Sequence, residues 1–310
     1  MATWHDGFAD VASLGMRIAN LRDGDGYLLG VETADGILNV PATAATLGLP
    51  APQDVDELLQ RGLGAQVKDV ADAAEQSAGR AVVIAPDEAE FAPLVTRPGK
   101  ILCVGFNYRK HAEETGTEVG DVPPLFAKFS NALNGDGGTV RLPVEVARWF
   151  DYETELVIVF GRRCHHVPEA GALDYVAGYA TGNDISARDL QTQTPQLTAG
   201  KISDGFAPVG PWLVTADRVP DPNDLRLQTH VNGQRRQDWT TKDMIFNCRQ
   251  LISFVSGILP MEPGDILFTG TPQGVIFGQP QPPEERVWLK PGDRVVSELE
   301  GLGALTVTLA

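Results

Sequence analysis

Local chemistry concentrates at Asp151-Tyr152-Glu153-Thr154-Glu155, directly ahead of the apolar run Leu156-Val157-Ile158-Val159-Phe160. That run demands a strand, and on a strand residues two apart share a face, so Glu153 and Glu155 point together. Neighbouring carboxylates repel unless a proton or cation sits between them. Hard divalent cations such as Mg²⁺ take oxygen ligands of this kind. The pair alone suits an exposed strand face with two solvated acids equally well. Asp184 follows a second apolar run, residues 175–180. It therefore sits near a strand end and could offer a third carboxylate, although taken singly it better suits the N-cap of a following helix. His111 and Glu114 stand three apart and share a face if their segment is helical. A carboxylate beside an imidazole orients the ring for general-base work; the alternative is an exposed helical turn.

The elements that must position these groups fall into two stretches. Residues 16–21 and 27–31 read as strands around the turn Asp23-Gly24-Asp25-Gly26. Residues 54–62 and 70–78 read as helices, and Pro93 and Pro98 punctuate a linker. From Lys100 onward short apolar runs at 101–104, 156–160, 211–214, 266–269 and 304–307 alternate with turn residues, and 244–255 is the one longer helical candidate. With 33 glycines and 22 prolines the chain has material for many tight turns. We expect a β-rich α+β protein, with a small N-terminal domain over 1–95 and a catalytic domain over 96–310.

Composition removes several classes of function. The 25 basic and 41 acidic residues give a net charge of −16, which disfavours nucleic acid and anionic membrane as partners. Three unpaired cysteines fit a reducing compartment. The opening Met1-Ala2-Thr3-Trp4-His5-Asp6-Gly7 has no basic or apolar leader pattern, and no apolar run approaches a membrane span, so the expectation is a cytoplasmic protein. Cys164-His165-His166 lacks a second pair at zinc spacing. Asp23-Gly24-Asp25-Gly26 lacks the later glycine and glutamate of a calcium loop. Trp149 and Trp239 read as packing residues, since no basic patch accompanies them.

Taken in order, the segments Val104-Gly105-Phe106-Asn107-Tyr108-Arg109-Lys110-His111, Phe126-Ala127-Lys128, Asp151-Tyr152-Glu153-Thr154-Glu155, Asn183-Asp184-Ile185-Ser186-Ala187-Arg188-Asp189, Lys201-Ile202-Ser203-Asp204-Gly205 and Gly270-Thr271-Pro272-Gln273-Gly274 resemble the fumarylacetoacetate hydrolase family. The resemblance runs from about Lys100 to the C-terminus. It implies a mixed β-sandwich roll with a smaller N-terminal α+β domain, assembled as a homodimer. It implies one divalent cation per subunit, Mg²⁺ or Mn²⁺ with Ca²⁺ as a further option, held by Glu153, Glu155 and Asp184. It places His111 and Glu114 on a mobile lid, makes Lys128 and Lys201 active-site lysines, and brings Arg188, Gln191 and Thr271 to the substrate.

These groups suit cleavage of a carbon–carbon bond beside a 2-oxo acid. An acylpyruvate or fumarylpyruvate chelates a metal through its carboxylate and adjacent oxygen, and the metal stabilises the departing enolate. His111, oriented by Glu114, deprotonates the attacking water, and Lys128 offsets charge on the attacked oxygen. Decarboxylation of oxaloacetate, or an isomerase, hydratase or lyase reaction on a related 2-oxo acid, uses the same site. A non-catalytic dicarboxylate sensor is the alternative outside enzymology. The loop from Gly278 to Glu285 reads as surface rather than as a wall of the site.

Overall fold

The apolar run after Glu155 cannot be left in water on either face, and the computed structural model, which describes residues 11–310, pairs it on both edges. Thr154–Phe160 lies antiparallel to Val176–Asn183 on one side and to Ile266–Phe268 on the other. Every residue of all three strands is buried. The sheet continues from Ile266–Phe268 through the parallel strand Ile101–Val104 to Leu125–Lys128. In the other direction Val176–Asn183 pairs with Ala207–Thr215, which pairs with Arg17–Asp23. Gly26–Thr33, Gly36–Asn39 and Val83–Ile84 complete that edge. Four strands between Arg17 and Ile84 thus extend the same eleven-stranded sheet that carries the acidic motif. The reading of Met1 to Gly7 as leaderless lies outside the described residues.

A five-stranded sheet packs beside it, in the order Gln234–Thr240, Arg226–Val231, Arg294–Leu299, Gly303–Leu309, Gly138–Val140. Buried hydroxyls join the two: Thr154 Oγ1 bonds Ser297 Oγ at 2.7 Å and Thr181 Oγ1 donates to Gly303 O at 2.9 Å. Alternation along Thr154–Phe160 feeds two cores. Val157 and Val159 enter one with Phe206 and Phe268. Leu156, Ile158 and Phe160 enter the other, against Leu251, Ile252 and Val255 of the helix Cys248–Ile258.

The helix expected over 54–62 is Val55–Arg61, with Asp54 accepting the Glu57 N–H at 2.7 Å and Gly62 left-handed at φ 64°. That expected over 70–78 is the earlier Gly64–Gln76. The helix expected from 244 begins only at Cys248, because Asn247 and Gln250 form a reciprocal capping box there. The residues before it are drawn elsewhere: Ile245 and Phe246 N–H both bond Asn107, to its carbonyl and side chain. Asp23-Gly24-Asp25-Gly26 is the expected strand-to-strand turn. Among the described residues no helix is long and apolar enough to cross a membrane.

Candidate metal centre and active site

Glu153 lies one residue before its strand rather than on it, since Thr154 opens the pairing. The two carboxylates converge through a local clamp: the Glu153 N–H donates to Asn183 Oδ1 at 3.0 Å, and its carbonyl accepts the Asp184 N–H at 2.8 Å. Glu155 stands opposite Gly182 in the ladder. One oxygen from each of Glu153, Glu155 and Asp184 then lies within 4.8 Å of the others, and all three residues are buried. Asp184 is no N-cap: the short helix Arg188–Gln191 starts after Ala187.

Three cations flank this cluster. Lys201 Nζ bridges Glu153 Oε2 at 2.7 Å and Asp184 Oδ2 at 2.8 Å. Arg188 reaches Glu153 at 2.7 Å and Asp151 at 2.9 Å. Lys128 pairs with Asp184 Oδ1. Burial works against the Glu153 carboxylate, yet Arg188 and Lys201 more than reverse it and hold the group well below the usual carboxylate range. Glu155 goes the other way: burial, then the charges of Asp184 and Glu153, push it well above that range. Burial lowers Lys201, but Asp184 and Glu153 outweigh it and leave the ammonium favoured. Four buried carboxylates including Asp151 face three fixed cations, Lys128, Arg188 and Lys201, so with all four ionised one negative charge has no partner among them, and Glu155 is the group pushed toward its protonated form. An oxygen-only donor set with surplus negative charge fits a hard divalent cation.

His111 faces the same cavity from the helix Arg109–Thr115. Its Nδ1 lies 2.9 Å from Glu114 Oε1, and its ring stacks on Phe106, whose backbone is left-handed at φ 50°. With Nδ1–H donated to the carboxylate, Nε2 is left as the acceptor. The cavity is lined by His111, Glu153, Glu155, Arg188, Gln191, Lys201 and Thr271, with Phe106, Phe126, Leu197 and Phe277 as apolar walls. Gln191 accepts from Arg188 through Oε1, which leaves its amide N–H₂ for other partners. Thr271 donates to Thr154 O and accepts from Gln237 Nε2. Of the ten residues singled out from sequence, seven line the cavity and three stand behind it: Glu114 against His111, and Lys128 and Asp184 fully buried.

Sequence reasoning gave no role to Asp151, Gln237 or the turn after Gln273. Asp151 is fully buried, holds Arg188, and accepts the N–H groups of Ile276 and Phe277 at 2.9 Å each. Its place within the acidic motif was the available signal. Asn131 bonds Ile202 O and Asp204, tying its loop to the segment after Lys201.

An α+β fold of two large sheets, with a buried carboxylate triad and a histidine–carboxylate pair beside one cavity, has the layout of an enzyme site. Residues 100–310 match the profile described as Fumarylacetoacetate (FAA) hydrolase C-terminal, and the chain belongs to the fumarylacetoacetate hydrolase family. It is 36% identical over 282 residues to the human protein named oxaloacetate tautomerase FAHD2A, mitochondrial, covering 89% of this chain and 85% of that one. Fumarylacetoacetate hydrolase from Exiguobacterium antarcticum superposes with a TM-score of 0.75 at 29% identity, covering 95% of this chain and 99% of that one. Maleylpyruvate hydrolase from Sphingobium sp. SYK-6, solved with manganese(II) and pyruvate, gives 0.73 at 28% identity, with the same coverage.

Proposed function

We propose that this protein is a divalent-cation-dependent hydrolase that cleaves a carbon–carbon bond of a short acylpyruvate-type 2-oxo acid. The observation that carries the reading is that His111, backed by Glu114, and Glu153 and Glu155, backed by Asp184, line one small cavity. Glu153, Glu155 and Asp184 would hold Mg²⁺ or Mn²⁺, and the ion would supply Lewis-acid polarisation of the substrate's oxygens. Glu114 fixes the imidazole so that His111 Nε2 takes the proton of the attacking water. Gln191 and Arg188 orient the substrate's carboxylate end, and Lys201 keeps the ligand carboxylates in place. Lys128 holds Asp184 at rest and serves as donor to the attacked oxygen only in a step in which its ammonium turns from that carboxylate. Phe106, Phe126, Leu197 and Phe277 exclude water and accept the acyl group. We include in the proposal a homodimer working in the cytoplasm.

A second reading, interconversion or decarboxylation of oxaloacetate, is favoured by the human relative's name. Turnover of acetylpyruvate, fumarylpyruvate and oxaloacetate with Mn²⁺, Mg²⁺ or chelator separates the two, with pyruvate, acid and CO₂ quantified apart. Pyruvate plus acid, lost in His111→Ala, supports hydrolysis. Oxaloacetate consumed or tautomerised without acid release supports the second. Cation binding with no turnover supports a sensor.

A further inference from the structure

We propose that Gly278 is a positioning residue for the catalytic base, acting through Glu114. The inference rests on the reading of His111 as that base. A carboxylate in the last turn of a helix sits at the negative end of its dipole and needs outside donors to stay there. Glu114 finds one in the Gly274 N–H, at 3.0 Å from Oε2 and 3.2 Å from Oε1, while Oε1 takes His111 Nδ1. The remaining space belongs to Gly278. A Cβ built there would lie 2.3 Å from Glu114 Cδ, 2.5 Å from Cγ and 2.7 Å from Oε2, all closer than van der Waals contact allows.

Something would have to move, and the geometry decides what. The turn is fixed from several sides: Ile276 and Phe277 N–H bond Asp151, Gly274 O accepts from Tyr152 Oη at 2.9 Å, and Phe277 O accepts from Arg286 at 2.7 Å. Gly278 itself does not use the left-handed region, so alanine suits its backbone. The free end of the Glu114 side chain is the part that yields. Gly278→Ala would therefore draw the carboxylate off His111 without touching substrate, cation ligands or the imidazole. The loop expected at the surface is so from Gln279 to Glu285, while its first residue forms the seat of the base.

The test is a cycle of wild type, Gly278→Ala, Glu114→Ala and the double variant, on Mn²⁺-loaded protein with the fastest substrate of the panel above. A positioned general base supplies about 10²–10⁴-fold, so partial misalignment in Gly278→Ala should lower kcat about 10–100-fold, with KM and Mn²⁺ affinity little changed. The double variant should be no slower than Glu114→Ala. Full activity in Gly278→Ala, or losses that multiply in the double variant, would overturn the proposal. If Glu114→Ala leaves kcat unchanged, the base reading fails, and the imidazole N–H proton resonance decides positioning alone. That resonance, assigned by its loss in His111→Ala, should vanish in Gly278→Ala; its persistence overturns the proposal. Should Gly278→Ala not fold, the double variant decides, because no carboxylate meets the new methyl there: a folded double variant supports the proposal and an unfolded one overturns it.

Discussion

Glu153 and Glu155 are two residues apart and shift in opposite directions, because Arg188 and Lys201 pair directly with the first, while burial and the charges of Asp184 and Glu153 outweigh Lys201 at the second. A carboxyl raised by folding stabilises the fold below its unfolded pKa, and that contribution is lost as pH rises through the folded value. The cation-free fold should therefore weaken from the ordinary carboxylate range upward as Glu155 loses its proton, and a cation that replaces the proton should restore it. Expected is a larger Mn²⁺-induced rise in Tm at about pH 8 than at about pH 6; an increment independent of pH, read by calorimetry, would contradict it. Glu155→Gln should raise Tm of the cation-free protein at the higher pH while weakening Mn²⁺ binding. Glu153→Gln should remove Mn²⁺ binding and activity together and, by leaving two buried cations short of a partner, cost up to about 3–5 kcal/mol; full activity would remove the site assignment. The triad was legible because two acids at i, i+2 directly ahead of an apolar run are brought to one face, where their repulsion calls for a cation or a proton. Asp151 was not, because its importance lies in bonds to Ile276 and Phe277, 125 and 126 residues away.

Those ligands are held by strand pairs, so the site depends on how closely two strands approach. Gly182 faces Glu155 across the ladder, and a Cβ there would lie 2.5 Å from Val157 Cγ2 and 2.8 Å from Phe268 Cε1, both in fully buried side chains. Gly182→Ala should cost about 1–3 kcal/mol through overpacking and weaken Mn²⁺ binding by displacing Glu155; unchanged Mn²⁺ affinity by titration calorimetry would show that the ladder does not set that ligand. Asn247→Ala is the contrast, since it breaks a cap whose residues do not line the cavity. It should cost about 1 kcal/mol and leave Mn²⁺ affinity as it was. Val55–Arg61 was legible because Asp54 and Gly62 mark its ends with local chemistry. The start of Cys248–Ile258 was misplaced because Met244 and Phe246 continue its apolar period while Asn107, 139 residues from Phe246 along the chain, holds that stretch in another conformation. Periodicity finds a helix and local caps bound it, but a competing long-range partner is invisible to both.

Sheet order belongs to the whole molecule and was not legible at all. Ile101–Val104 lies beside Ile266–Phe268 and Arg17–Asp23 beside Ala207–Thr215, and nothing local in those runs names the partner. Net charge is also a property of the whole, and it was legible at once. A chain at −16 repels an anionic 2-oxo acid, whereas the cavity becomes attractive once a divalent ion takes the place of the Glu155 proton and adds its charge. The two fields act over different ranges: the surface term is screened within about 8–10 Å at physiological salt, while charges inside the buried pocket are not. Raising ionic strength at saturating Mn²⁺ should therefore increase kcat/KM for an acylpyruvate several-fold and leave kcat unchanged, because only the approach is eased. A fall in kcat/KM with added salt would mean that local cations, Arg188 and Lys201 among them, already govern the approach and that the acidic exterior is kinetically silent. A parallel change in kcat would instead locate the effect in the pocket, against its burial.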